Sequence, residues 1–198
     1  MKPAYYFILL LALLFSDCLS GGEDKQILEI RNQFKRWQQV LTQGDVVSQK
    51  LYHVYFGDYF DEDAWIDSSE AIGDRFVGEE VTVSRHEQLG ISLKVKQTSP
   101  SGDWHITSEH YYWPSQKLFF VFWAMNTSQA DEPVTVERRL YFNPEGEVIR
   151  RLESVYKMNS RVHVDVRSYA EQKITYWLEV DSIPFKDLIK NELRENSK

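Results

Sequence analysis

One cysteine, Cys18, occurs among 198 residues, so no intrachain disulfide framework exists and the fold must be held by its core. No apolar run approaches the roughly 20 residues that a membrane-spanning helix needs. The longest, FILLLALLF at 7–15, is less than half that length. A Gly-x-Ser-x-Gly elbow, a phosphate loop and a dinucleotide fingerprint are all missing, so no cofactor is expected. Positive charge is in deficit: 23 Lys and Arg stand against 30 Asp and Glu, a net charge of −7. An acidic surface disfavours nucleic acid and anionic membranes as partners.

What is present begins at the N-terminus. Lys2 is a short positive region, residues 7–15 are apolar, and Ser16-Asp17-Cys18-Leu19-Ser20 turns small and polar. That order is the layout of a secretory signal peptide. Cleavage before Gly21 places Cys18 at −3 and Ser20 at −1, both small. The expectation is therefore a signal peptide at 1–20 and one domain at 21–198, periplasmic or secreted. The alternative is lipidation of Cys18, followed by a Leu-Ser-Gly-Gly tether, which would give the only membrane attachment. Phe15-Ser16-Asp17 fits that route poorly. Removal or lipidation of Cys18 also leaves no thiol nucleophile.

Behind Asp24, a good N-cap, Ile27, Ile30, Phe34, Trp37 and Leu41 recur at helical spacing until Gly44. This predicts an amphipathic helix over 25–43. The period then changes to alternation, and strands are expected at 51–56, 81–84, 91–98, 104–113, 118–125, 134–142, 147–155 and 161–167, separated by turn signals. Residues 58–67 (DYFDEDAWID) read as an acidic loop. Ser168 caps an expected helix at 169–178, and Pro184 opens a last one through Leu193. The fold class is α+β: an N-terminal helix on a twisted antiparallel meander of about six to eight strands, with C-terminal helices.

The stretches YYWPSQKLFF and LYFNPEGEVI form a weak internal repeat, offset by about 29 residues. They resemble the Tyr-rich, YD-like hairpin repeats of exported bacterial proteins, over about 30 residues. The resemblance implies β-hairpins and a bacterial, exported chain. It implies no activity. Gln116 stands where such a turn usually has glycine.

Several residue sets invite a chemical reading. His105, Glu109 and His110 form HxxxEH, but their neighbours are strand formers. On a strand His105 and Glu109 lie roughly 13 Å apart, at about 3.3 Å per residue, and His110 points away. No metal site is expected. Asp58, Asp61, Glu62, Asp63 and Asp67 lack the calcium-loop order. His163 shares a strand face with Asp165 and Arg167, opposite Val162, Val164 and Val166. Asn126-Thr127-Ser128 is a glycosylation sequon in an expected turn. The strand Leu118 to Trp123 is apolar on both faces, so it is covered on both sides or offers a groove. With 143–146 as a four-residue loop, Arg139 faces Arg150 and Arg138 faces Arg151. Like charges so placed need an offsetting anion.

The candidate ligand- or partner-binding residues are thus Arg138, Arg139, Arg150, Arg151, Trp113 and Trp123. The leading expectation is an exported non-catalytic binding protein for an unidentified protein or small ligand, anionic in character. The alternatives are an envelope hydrolase using carboxylates or histidines from several strands, and an inhibitor or immunity-like protein.

Overall fold

A computed structural model describes residues 25–57, 61–129, 132–164 and 173–194. The predicted signal segment, Cys18, and parts of the expected 161–167 strand and 169–178 helix lie outside these. Helix α1 spans Lys25–Gln43, as the periodicity predicts. Gly44 ends it at φ +73°, and the Asp45 N–H closes on the Val40 carbonyl at 3.0 Å, a Schellman arrangement. Ile27, Ile30 and Trp37 are buried, with Gln33 on the same stripe.

Eight strands follow: β1 Val47–Phe56, β2 Glu62–Ile66, β3 Phe76–His86, β4 Gly90–Thr98, β5 Trp104–Tyr112, β6 Leu118–Thr127, β7 Val134–Phe142 and β8 Val148–Lys157. They form one antiparallel sheet in the order β2-β1-β3-β4-β5-β6-β7-β8. Seven of the expected strands are thus found, mostly longer than predicted. For the eighth, only an isolated bridge from His163 to Tyr156 is seen among the described residues. β2 corrects the acidic-loop reading of 58–67. Glu62 and Asp63 are poor strand formers, yet Trp65 stacks flat on His53 of β1 at 4.5 Å, and that contact makes an edge strand of the segment.

Side-chain alternation gives the sheet two faces. On the first, here the helix face, Tyr111, Phe120 and Tyr141 stand side by side. Phe34 of α1 meets Tyr111 edge-on at 5.2 Å and Phe120 at 4.9 Å. Leu89 and Phe119 complete this buried cluster. The second face carries the larger core, from Leu51 and Val81 to Val136 and Val155. The C-terminal stretch 173–194 lies against it, burying Val180, Ile183, Phe185, Ile189 and Leu193.

That stretch, the strap, corrects the expected C-terminal helices. Residues 173–178 are not helical, and 184–193 holds a 3-10 turn, Lys186–Leu188, and the start of the four-residue helix α2, Asn191–Arg194. The reason is competition for backbone groups. Gln49 donates to the Leu188 carbonyl and accepts from the Lys190 N–H, both at 2.9 Å. Arg85 donates to the Leu193 carbonyl, and Tyr112 to that of Trp177. The Leu118 N–H donates to Leu178 O and the Val180 N–H to Gln116 O. These bonds to the sheet replace the i to i−4 ladder of a helix.

The two repeated hairpins share one geometry. In the first, the Trp113 N–H bonds Lys117 O at 2.9 Å and the Gln116 N–H bonds Trp113 O at 2.8 Å; in the second, Asn143, Glu147 and Gly146 repeat this at 3.0 Å. Gln116 (φ 65°) and Gly146 (φ 87°) take the left-handed position of a three-residue loop. Both hairpins carry a register shift next to the loop, at Tyr111/Tyr112 and at Tyr141/Phe142. Trp113 matches Asn143 and Gln116 matches Gly146, so the offset is 30.

Candidate functional site

The six arginine and tryptophan candidates do not form one site. The expected register is wrong by two residues: Arg139 pairs with Leu152, Arg138 with Glu153, Leu140 with Arg151 and Tyr141 with Arg150. One residue of the difference comes from the shorter loop and one from the bulge. The like-charge pairs across β7 and β8 therefore do not occur. Arg138, Arg151 and Trp123 lie on the strap face; Arg139 and Arg150 lie on the helix face. Trp113, at the hairpin end, packs on Phe119 at 4.3 Å and belongs to the core under α1.

On the strap face, Arg138 is fully buried. Its Nε donates to Glu153 at 2.6 Å, and its guanidinium lies 5.1 Å from the Trp123 ring centre. Arg151 reaches the same carboxylate at 3.5 Å from outside. Glu153 thus stands where the notional anion was needed. His110, one row away, is also fully buried. Its Nε2 is 2.7 Å from Ser108 Oγ, its ring stacks on Trp177 at 5.4 Å, and its Nδ1 has no partner. Burial lowers its pKa to about 3, so the ring is neutral at ordinary pH. A serine and a histidine within proton-transfer distance suggest a nucleophile and base. Among the described residues no acid orients the imidazole, and both side chains are buried.

Among the described residues, the helix face is covered by α1 at one end. Beyond the Tyr111–Phe120–Tyr141 row, the ladder registers place Lys50, Thr82, Lys94, Glu109, Phe122 and Arg139 in one line across six strands. The next line runs Tyr52, Glu80, Lys96, Thr107, Ala124 and Glu137. Each of the three carboxylates is held by cations or hydroxyls of this face. Glu109 accepts from Lys94 at 3.0 Å and from the Tyr111 hydroxyl at 2.7 Å, which Gln38 of α1 in turn contacts. Glu80 sits between Lys96 at 3.2 Å and Lys50 at 3.5 Å; burial raises its pKa, but the two lysines outweigh this and lower it overall. Glu137 accepts from Arg139 at 3.1 Å and from the Tyr156 hydroxyl. Burial, then Glu137, pushes the Tyr156 pKa up to about 12. Burial, then Glu109, raises that of Tyr111.

The cations are less fully engaged. Arg139 is 41% exposed, lies 5.7 Å from the Phe122 ring centre, and engages Glu137 through Nη2, with no hydrogen bond from Nε or Nη1 among the described residues. Lys94, 48% exposed, meets Glu109 alone. Lys50 and Lys96 share the single carboxylate of Glu80. In these two lines four cations stand beside three carboxylates, in a chain that is acidic overall.

A second cluster escaped the sequence reading. His53 of β1 lies between Asp63 of β2 (Nε2 to Oδ1, 3.3 Å) and Glu79 of β3 (Nδ1 to Oε1, 3.8 Å), with the Tyr55 hydroxyl 3.2 Å from Nδ1. Trp65 covers its other side and leans on Phe185 of the strap at 4.4 Å. Burial, then Glu79 and Asp63, raises the Tyr55 pKa. Alternation of Leu51, His53 and Tyr55 was visible in the sequence. Assigning Asp63 to a loop hid the pairing that brings it to His53.

The remaining candidates disperse. His105 bonds Thr98 at 3.2 Å on the helix face, as does Glu109 to its own partners, while His110 is on the other side. Among the described residues no three His, Cys, Asp or Glu side chains are grouped to hold a metal ion. Asn126 belongs to β6 rather than to a turn and accepts from Thr135 at 2.7 Å. His163 is exposed beside Tyr156. An open cleft of about 690 Å³ lies by Phe56, Ile72 and Phe76, where Arg75 is engaged with Phe56 and the Ala71 carbonyl. No described helix is long and apolar enough to cross a membrane. No family model, curated protein or solved structure matches this chain.

Proposed function

We propose that this chain is an exported, non-catalytic binding protein, periplasmic or secreted, that takes an anionic ligand on the open half of its helix face. The α+β reading, with α1 seated over one end of the sheet, belongs to the same proposal. The observation that carries it is Arg139. Its guanidinium is held in place by Glu137 and Phe122, is open to solvent, and makes no hydrogen bond from Nε or Nη1 among the described residues. A fixed guanidinium recognises carboxylate or phosphate at low entropic cost. Lys94, Lys96 and Lys50 add positive charge along the same surface. The three-part N-terminal segment supports export, by signal cleavage after Ser20 or by lipidation of Cys18. Mass spectrometry of the protein purified from its own cells tests both halves. Expected are a mature N-terminus at Gly21 or a lipidated Cys18, and a co-purifying acidic compound lost from Arg139→Gln. An intact Met1 on a cytosolic protein defeats the export half; nothing acidic retained by the unmodified protein counts against the binding half.

One observation favours an envelope hydrolase as the second reading: His53, Asp63 and Glu79 converge from three strands beside Tyr55. A histidine oriented by one carboxylate, with a second in reach, suits general acid–base chemistry. Turnover of model esters or glycosides that disappears in both His53→Gln and Asp63→Asn supports it. Turnover that survives both removes it.

A further inference from the structure

We infer that the ligand of the helix face is an anionic polysaccharide lying across the strands, an inference that rests on the binding reading above. The spacing of the cations argues first. Lys50, Lys94 and Arg139 occupy one line, two and then three strands apart. At about 4.8 Å per strand these steps are roughly 10 and 14 Å. No single phosphate or carboxylate reaches all three, so the matching ligand is extended and carries repeated negative charge.

The groups between the cations argue second. Thr82 in the first line and Thr107 in the second present hydroxyls on this face, and Thr98 and Asn126 add a hydroxyl and an amide in the line beyond. The carboxylates among these groups, Glu109, Glu80 and Glu137, are already bound by Lys94, by Lys50 and Lys96, and by Arg139. The uncharged donors and acceptors beside the cations match a chain of hydroxyl-bearing, carboxylated units.

Two other polyanions fit less well. An extended acidic peptide binds by adding to a sheet edge, where backbone groups are open. Here the line crosses interior strands whose backbones are already paired on both sides. Single-stranded nucleic acid needs aromatic platforms for its bases. The one ring in the line, Phe122, already carries the Arg139 guanidinium.

The test uses the full chain and three probes: polygalacturonate, poly-L-glutamate of matched charge, and neutral dextran. Expected are binding to polygalacturonate that weakens steeply with salt, none to dextran, and at least about tenfold weaker binding to poly-L-glutamate. Arg139→Gln and Lys94→Gln should each weaken polygalacturonate binding about tenfold, the effect of one lost charge-assisted contact. Lys94 is exposed, so its variant carries the test even if Arg139→Gln folds poorly. Poly-L-glutamate binding equally well, and lost in the same variants, overturns the polysaccharide while the binding face stands. Binding by neither polyanion, or binding indifferent to both substitutions, overturns the face as well.

Discussion

Arg138 and Arg139 are adjacent in sequence and opposite in circumstance. Arg138 points to the strap face of the sheet, with 0% of its side chain exposed, and has Glu153 and Trp123 close against it. Arg139 points to the helix face beyond the end of α1, 41% exposed, with Glu137 and Phe122 beside it. The partners are of the same chemical kinds, a carboxylate and an aromatic ring. What differs sharply is exposure, none at Arg138 and 41% at Arg139. On the strap face the pair joins β7 to β8; on the helix face the cation stands partly open to solvent. On the proposed reading, the two faces divide stability from recognition.

Substitutions along this divide should differ most at the arginines themselves. Arg138→Ala leaves Glu153 without its buried partner and should cost about 3 kcal/mol. That is the low end for a broken buried pair, because Glu153 is itself about a third exposed. Arg139→Ala should cost less than about 1 kcal/mol, as exposed pairs do. Urea unfolding of the two variants measures the gap, and equal losses would erase the distinction between the faces.

The pH limbs should separate next. His110 on the strap face has its folded pKa depressed to about 3, against an ordinary value of about 6.5. Below pH 6.5 the unfolded chain takes up a proton that the folded chain refuses. Stability should therefore fall as pH drops from about 6.5 toward 3, through the proton this residue takes up only when unfolded. His110→Gln should flatten that acid limb. Tyr156 on the helix face is shifted the other way, up to about 12. Its contribution is present below pH 10 and is lost between about 10 and 12. Tyr156→Phe should flatten only the alkaline limb. Thermal melts across pH read both, and a variant that alters the opposite limb would contradict this assignment.

The smallest expected effect concerns how the strap is fastened. Gln116 holds a left-handed conformation (φ 65°) while its carbonyl accepts from Val180 of the strap. Gln116→Gly relieves a cost of about 1 kcal/mol and should stabilise by somewhat less, because glycine is freer when unfolded. Gly146, its counterpart, lies against Leu178, where an added Cβ would come within 3.1 Å. Gly146→Ala should therefore destabilise. Opposite signs at matched positions are the outcome to look for in the melting midpoints.

The legible parts of the fold were those with a local cause. The stripe from Ile27 to Leu41, the stop at Gly44 and the alternating strands from 91 to 142 follow from side-chain period and turn chemistry. The two apolar faces of residues 118–123 announced an interior strand buried on both sides over most of its length, as β6 is. The failures have non-local causes. β2 forms because Trp65 finds His53. The strap is not a helix because Gln49, Arg85 and Tyr112 engage its backbone groups. The register of β7 and β8 moved by two residues on one loop residue and one bulge, which no propensity encodes.

For the candidate site, the sequence supplied Arg139 among six candidates, and nothing in its pattern separated Arg139 from Arg138. What the sequence alone determined was the charge balance, the single cysteine, the helix period and the strand alternation, since each is a property of neighbours along the chain. Which arginine is sealed and which stands open, and that His53 meets Asp63 and Glu79, were decided only in three dimensions. Both depend on where α1 stops covering the sheet and where the strap lies, and those positions are set by contacts between residues far apart in the chain.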